Sequence, residues 1–87
     1  MGHTVTPMTV AVLLFASYAD ALGRDRIAVE LPPGASVRDV VDYVRALPGA
    51  ERLPPSPLVA VNQEYASTQQ RLSAGDEVAI IPPVAGG

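Results

Sequence analysis

The 87 residues carry nine acidic and six basic side chains, a formal net charge of -3, a single histidine and no cysteine. One domain of this size buries only about 60–65% of its unfolded surface, which leaves no room for a deep substrate cleft. Without thiols there is no disulfide framework, thiolate metal site or cysteine nucleophile.

The lone His3 does not support a Ser-His-Asp arrangement or a His-rich metal centre. The basic residues are all arginine, and Arg24, Arg26, Arg38, Arg45, Arg52 and Arg71 are scattered along the chain. Nucleic acid needs concentrated positive charge, so it is not an expected partner. Lacking lysine, the chain cannot accept an isopeptide bond on a side chain, although it can donate its own C-terminus.

Residues 1–7 lack periodicity, end in Pro7 and are expected to be a disordered extension. The apolar run Val10–Ala16 is too short for a membrane span and no Lys or Arg precedes it. It reads as a strand rather than a leader, so no membrane association is expected and the cytoplasm is the default location. Thr9–Phe15 has two apolar alternating sets, Val10, Val12, Leu14 and Ala11, Leu13, Phe15, as suits an interior strand covered on both faces. Ser17 is placed to cap a short helical turn through Tyr18, Ala21 and Leu22, closed by Gly23.

Arg26–Leu31 alternates Ile27, Val29 and Leu31 against polar or small residues, and Pro32-Pro33-Gly34 stops it. Two strands so close together predict an antiparallel hairpin with an enlarged loop. The main helix is expected over Val37–Leu47, where Val37, Val40, Val41, Val44 and Leu47 form one stripe. Ser36 caps it, Asp39 and Arg45 suit its two ends, and Pro48-Gly49 terminates it. Glu51–Pro57, with three prolines, predicts a surface loop. Leu58–Val61 is a strand, Asn62-Gln63-Glu64 a turn, Tyr65-Ala66 a brief returning strand, and Ser73–Asp76 a turn feeding a last strand, Glu77–Ile81.

This order predicts an α+β fold, a β-grasp (ubiquitin-like) mixed sheet crossed by one main helix, over residues 8–81. The last strand should lie parallel beside the first. The core is expected to contain Val10, Val12, Leu14, Ile27, Val29, Val40, Val41, Val44, Leu47, Val59 and Val61. On the other sheet face, alternation collects Leu13, Phe15 and Ile81, with Tyr65 near them, in an uncovered apolar patch of the kind that binds partners.

Residues 82–87, Pro82-Pro83-Val84-Ala85-Gly86-Gly87, form an extended tail in this reading. Prolines without N–H groups end the strand, and two glycines without Cβ atoms leave a thread thin enough for a narrow channel. The chemistry is then expected at the Gly87 carboxylate. Gly75-Asp76 and Asn62 read as turn residues, with no metal role.

The segment Leu72–Gly87, together with Leu14-Phe15-Ala16 and Val61-Asn62-Gln63, resembles molybdopterin synthase small subunits. Thiamin-pathway sulfur carriers share the Gly-Gly end, but Gly-Asp-Glu-Val followed by Pro-Pro-Val is more similar to the molybdopterin family. The resemblance implies a sulfur carrier that is not catalytic alone and binds no cofactor. An adenylating E1-like activating enzyme uses ATP to activate Gly87, with Gly86 beside it, and a sulfur donor turns the adenylate into a thiocarboxylate. That group then gives sulfur to a pyranopterin precursor within a large subunit, in an implied heterotetramer and in the service of molybdenum cofactor biosynthesis. Leu13, Phe15, Tyr65, Ile81, Pro82, Pro83 and Val84 are the implied partner contacts. A ubiquitin-like protein modifier, or a related sulfur carrier of the thiamin type, using the same Gly-Gly end is the competing expectation.

Overall fold

Alternation along Met8–Leu14 buries Met8, Val10, Val12 and Leu14 on one side of the first strand, β1. In the computed structural model, which describes residues 6–83, β1 pairs antiparallel with β2 (Arg26–Leu31) and parallel with β5 (Glu77–Ile81). β5 also pairs antiparallel with β3 (Leu58–Val61), which turns back into the short β4 (Glu64–Ala66). The strand order is β2-β1-β5-β3-β4, a mixed β-grasp sheet with the hairpin and the parallel first and last strands that the sequence predicts.

The first helix, α1 (Ala16–Leu22), fills the hairpin loop. Two expectations are corrected here. β1 stops at Leu14 rather than Phe15, and Phe15 rather than Ser17 is the N-cap residue. The chain swings into the helix through a left-handed Ala16, φ 48°, and the Phe15 carbonyl accepts from the N–H groups of Tyr18 and Ala19 at 3.0 and 3.3 Å. This early turn carries Tyr18 into the core at 3% exposure, where burial raises its phenol above the ordinary range by desolvating the charged form. Gly23, φ 73°, closes the helix as expected.

The second helix, α2 (Val37–Arg45), buries Val37, Val40, Val41 and Val44 completely on the sheet. At its start the Ser36 N–H donates to Asp39 Oδ2 at 2.8 Å. The next two orphan donors meet the chain segment that follows β4: the N–H groups of Val37 and Arg38 reach the carbonyls of Gln70 and Thr68 at 2.9 and 2.8 Å. The helix ends two residues earlier than expected. Ahead of Pro48 its last turn tightens, with the Leu47 N–H on the Val44 carbonyl at 3.0 Å, and this takes Leu47 off the stripe to a half-buried position at the core margin.

The Pro-rich loop is less superficial than its composition predicts. A 3₁₀ turn over Ala50–Arg52 buries Ala50, Leu53 follows it inward at 3% exposure, and Pro57 is buried. Arg38 Nη2 donates to the Pro55 carbonyl at 2.7 Å and ties the loop to α2. Met8, Tyr18, Leu31, Ala35, Leu72, Val78 and Ile80 complete a single core between α2 and one face of the sheet.

Candidate functional site

Among the described residues no helix covers the face of the sheet turned away from α2, and its residues follow from the strand registers. Leu13 stands opposite Ala79, Ala79 opposite Ala60, and Ala60 opposite Tyr65, so one row crosses four strands. The next row pairs Ile81 with Leu58. Phe15 lies one step past the Leu14–Ile80 pair with an extended backbone, and so continues the alternation of Leu13. Tyr65 is 76% exposed, Leu58 49% and Phe15 46%; Leu13, Ala79 and Ile81 are half-buried by their neighbours. Arg26 of β2 and Glu77 of β5 approach to 3.9 Å over β1 on the exposed surface and border the apolar rows with charge.

Four of the residues singled out from sequence, Leu13, Phe15, Tyr65 and Ile81, therefore meet at one face. Leu58, Ala60 and Ala79 were not singled out, though they lie on the same face, Ala60 buried beneath its neighbours. Their signal is the second alternating set of Leu58–Val61 and Glu77–Ile81, which acquires a direction only once β3 and β5 are known to be neighbours.

β5 delivers the chain to the margin of this face. Its last residue, Ile81, is flanked by Leu58 on one side and by the Leu14–Phe15 end of β1 on the other. Pro82 is half-buried against the sheet end and Pro83 is exposed. Val84, Gly86 and Gly87 lie outside the described residues, as do residues 1–5.

At the opposite end of β5 the turn residues serve structure. Asn62 Nδ2 donates to Asp76 Oδ1 at 2.9 Å and the Glu77 N–H donates to Asn62 Oδ1 at 3.0 Å. Asp76 Oδ2 accepts the Ser73 N–H at 2.7 Å. Both carboxylate oxygens of Asp76 are thus engaged in turns, as the sequence suggests. Among the described residues, no three His, Cys, Asp or Glu side chains are grouped to hold a metal ion, and no helix is long and apolar enough to cross a membrane.

The ThiS family matches residues 12–87, from within β1 through Gly86 and Gly87. The chain belongs to the ThiS family. A molybdopterin synthase sulfur carrier subunit of Dictyostelium discoideum is 39% identical over 82 residues, covering 87% of this chain and 93% of that protein. The protein of the same name from Chlamydomonas reinhardtii is 37% identical over 83 residues, 92% of this chain and 100% of that one. Among solved structures, small archaeal modifier protein 1 of Haloferax volcanii superposes with a TM-score of 0.78 at 30% identity, over 88% of this chain and 99% of that chain. In this ThiS-family chain the matched span takes in both helices and every residue of the open face named above.

Proposed function

We propose that the chain is the sulfur carrier subunit of a molybdopterin synthase and that Gly87 is its reacting residue. The observation that carries this reading is the near full-length likeness to two proteins of that name, joined by a family match that continues through Gly86 and Gly87.

The chemistry suits a chain without a thiol. A carboxylate is a poor electrophile, so an activating enzyme first joins the Gly87 carboxylate to the adenylyl group of ATP, with pyrophosphate leaving. A sulfur donor attacks the acyl carbon, the C–O bond to AMP breaks, and a thiocarboxylate remains. That group is ionised near neutral pH and nucleophilic without a neighbouring base. In the large subunit its sulfur passes to a pyranopterin precursor, and hydrolysis returns Gly87 to a carboxylate. The open face supports the same reading: its apolar rows end at Ile81, where the chain leaves the sheet, so a partner covering Leu58, Tyr65 and Ile81 also lies beside Pro82.

A second reading, that the activated Gly87 forms an isopeptide bond with a lysine of a target protein, is favoured by the likeness to a protein named small archaeal modifier protein 1. Intact mass spectrometry after incubation with activating enzyme, ATP and a sulfide source separates the two. Sulfur carriage predicts a gain of about the oxygen-to-sulfur mass difference at the C-terminus. It also predicts loss of charging when a residue is appended after Gly87 or when Gly86 is replaced by Val, since displacing a reacting group by about an ångström can cost on the order of a hundredfold. Charging that survives an uncleaved C-terminal extension defeats the proposal, and conjugates with whole proteins favour the modifier reading.

A further inference from the structure

β5 is held on both sides up to its last residues. Ile80 is level with Leu14 of β1, and Ile81 pairs with Leu58 of β3, so the direction of the backbone at Ile81 is set by two neighbouring strands. The two residues that follow are both proline. A proline ring fixes its own φ near −65°, and it keeps the residue before it out of the helical region. Ile81, as the residue before Pro82, and Pro82, as the residue before Pro83, are both restricted in this way. Ile81 and Pro82 are therefore confined to extended or polyproline geometry, which advances about 3.1 Å per residue, and Pro83 has its φ fixed as well. Pro82 is still half-buried and Pro83 is exposed, so the restricted stretch bridges the sheet end and solvent.

The same two residues remove the donors with which the chain could continue the ladder onto β1 or β3. With N–H groups at positions 82 and 83 the strand could zip onward beside Phe15 or Pro57. As it stands, pairing stops at Ile81.

We propose that Pro82 and Pro83 form a stiff spacer that fixes the direction in which the chain leaves the sheet, making them positioning residues for the terminal glycine, an inference that rests on the sulfur-carrier reading for its functional half. A stiff base lowers the conformational entropy lost when a partner takes up the chain end. Replacing a compatible proline by a freer residue costs about two- to fivefold per site.

The test uses the full chain, which has no native cysteine, with nitroxide labels on Arg45→Cys and Ala85→Cys. Three backgrounds are compared: native, Pro82→Gly with Pro83→Gly, and Pro82→Val with Pro83→Val, the last keeping apolar bulk and a β-branched preference for extended backbone. The glycine pair should broaden the label-to-label distance distribution about twofold, and the valine pair should keep a near-native width, its mean distance shifting where the restored N–H groups extend the ladder. Unlabelled proteins are then charged by the activating enzyme with ATP and sulfide. The half-saturating carrier concentration should rise roughly 4- to 25-fold for the glycine pair, with turnover at saturation unchanged, and the valine pair should recover most of the loss. Thermal unfolding should be unaltered in both variants. A native-width distribution for the glycine pair overturns the spacer, as does a valine pair that loses as much as the glycine pair, which indicates direct recognition of the rings. If the native chain is never charged, the sulfur-carrier reading falls while the distance measurement still decides the spacer.

Discussion

Asn62 and Asp76 lock two turns of the sheet together, one leading from β3 into β4 and the other leading into β5, through a side-chain hydrogen bond of 2.9 Å. Asn62 also accepts the Glu77 N–H and has a left-handed backbone, φ 50°, followed by Gln63 at 74°. Two successive positive φ angles are what a tight two-residue hairpin turn requires, and asparagine tolerates the first better than most residues. Asn62→Ala should cost about 1–2 kcal/mol in denaturant unfolding. Asn62→Gly should recover only the backbone part. A double-mutant cycle with Asp76→Ala should show coupling; additive losses would mean that the two turns are independent.

Gly49 should be far less replaceable than Gly75. Both have positive φ, 92° and 86°, but a Cβ on Gly75 meets nothing within 4 Å, whereas one on Gly49 would overlap the backbone carbonyl of Ala21 in α1. Gly75→Ala should therefore cost only the left-handed penalty of about 1–2 kcal/mol. Gly49→Ala should lose roughly a further 1–3 kcal/mol for the overlap. Equal midpoints for the two variants would show that α1 can move away freely.

Leu14 is 2% exposed and Val41 fully buried on opposite sides of the interface between sheet and helix. Truncating Leu14 to Ala should cost about 2–4 kcal/mol, a large share of the stability of so small a domain. Val41→Ala removes less volume and should cost less. Thermal unfolding near the native midpoint in both would mean that the core collapses around the gaps.

Ile81→Asp and Leu58→Asp place a charge in the outer apolar row while leaving the core residues Val59 and Ile80 in place. Both variants should fold, and both should bind a molybdopterin synthase large subunit at least tenfold more weakly by calorimetry. Binding as tight as that of the native chain would move the docking surface elsewhere.

Tyr18 should make the fold sensitive to alkali. Its phenol is raised above the ordinary value, so between that value and the folded one the native state holds a proton that the unfolded chain has released. The associated stability is complete below about pH 10 and is lost as pH rises through the folded value. Denaturant midpoints measured across that range should fall, and Tyr18→Phe should flatten the fall. An identical slope in the variant would assign it to other groups.

Most of this fold was legible because its two periodicities are clean. Ile27, Val29 and Leu31 alternate in β2, and the four valines of α2 share one stripe, so both elements and their buried faces followed directly. The misreadings fall where local signals compete. Ser17 is a good capping residue by type, yet the helix already begins at Ala16 with Phe15 as its N-cap, and Tyr18 turns into the core. Leu47 fits the stripe by number, yet Pro48 tightens the turn beneath it. Leu53 and Pro57 sit in a segment whose prolines advertise surface, while the 3₁₀ turn folds them inward. At the open face, Leu13, Phe15 and Ile81 could be grouped by alternation alone, but Leu58 and Ala60 depend on which strand neighbours β5, a long-range fact with no local sequence signal.

β5 occupies the middle of the sheet and is bonded to β1 and β3, yet it is the last strand to be translated. Until Glu77–Ile81 has left the ribosome, the hairpin of β1 and β2 has no partner on its inner edge and β3 has none on one side. The nascent chain must hold its apolar strands without a completed sheet, and closure depends on contacts distant in sequence, which form slowly. A chain interrupted before Glu77 lacks the strand that joins β1 to β3, and it is expected not to reach the compact state. Synthesis thereby couples possession of the compact domain to arrival of the segment that leads to its glycine end.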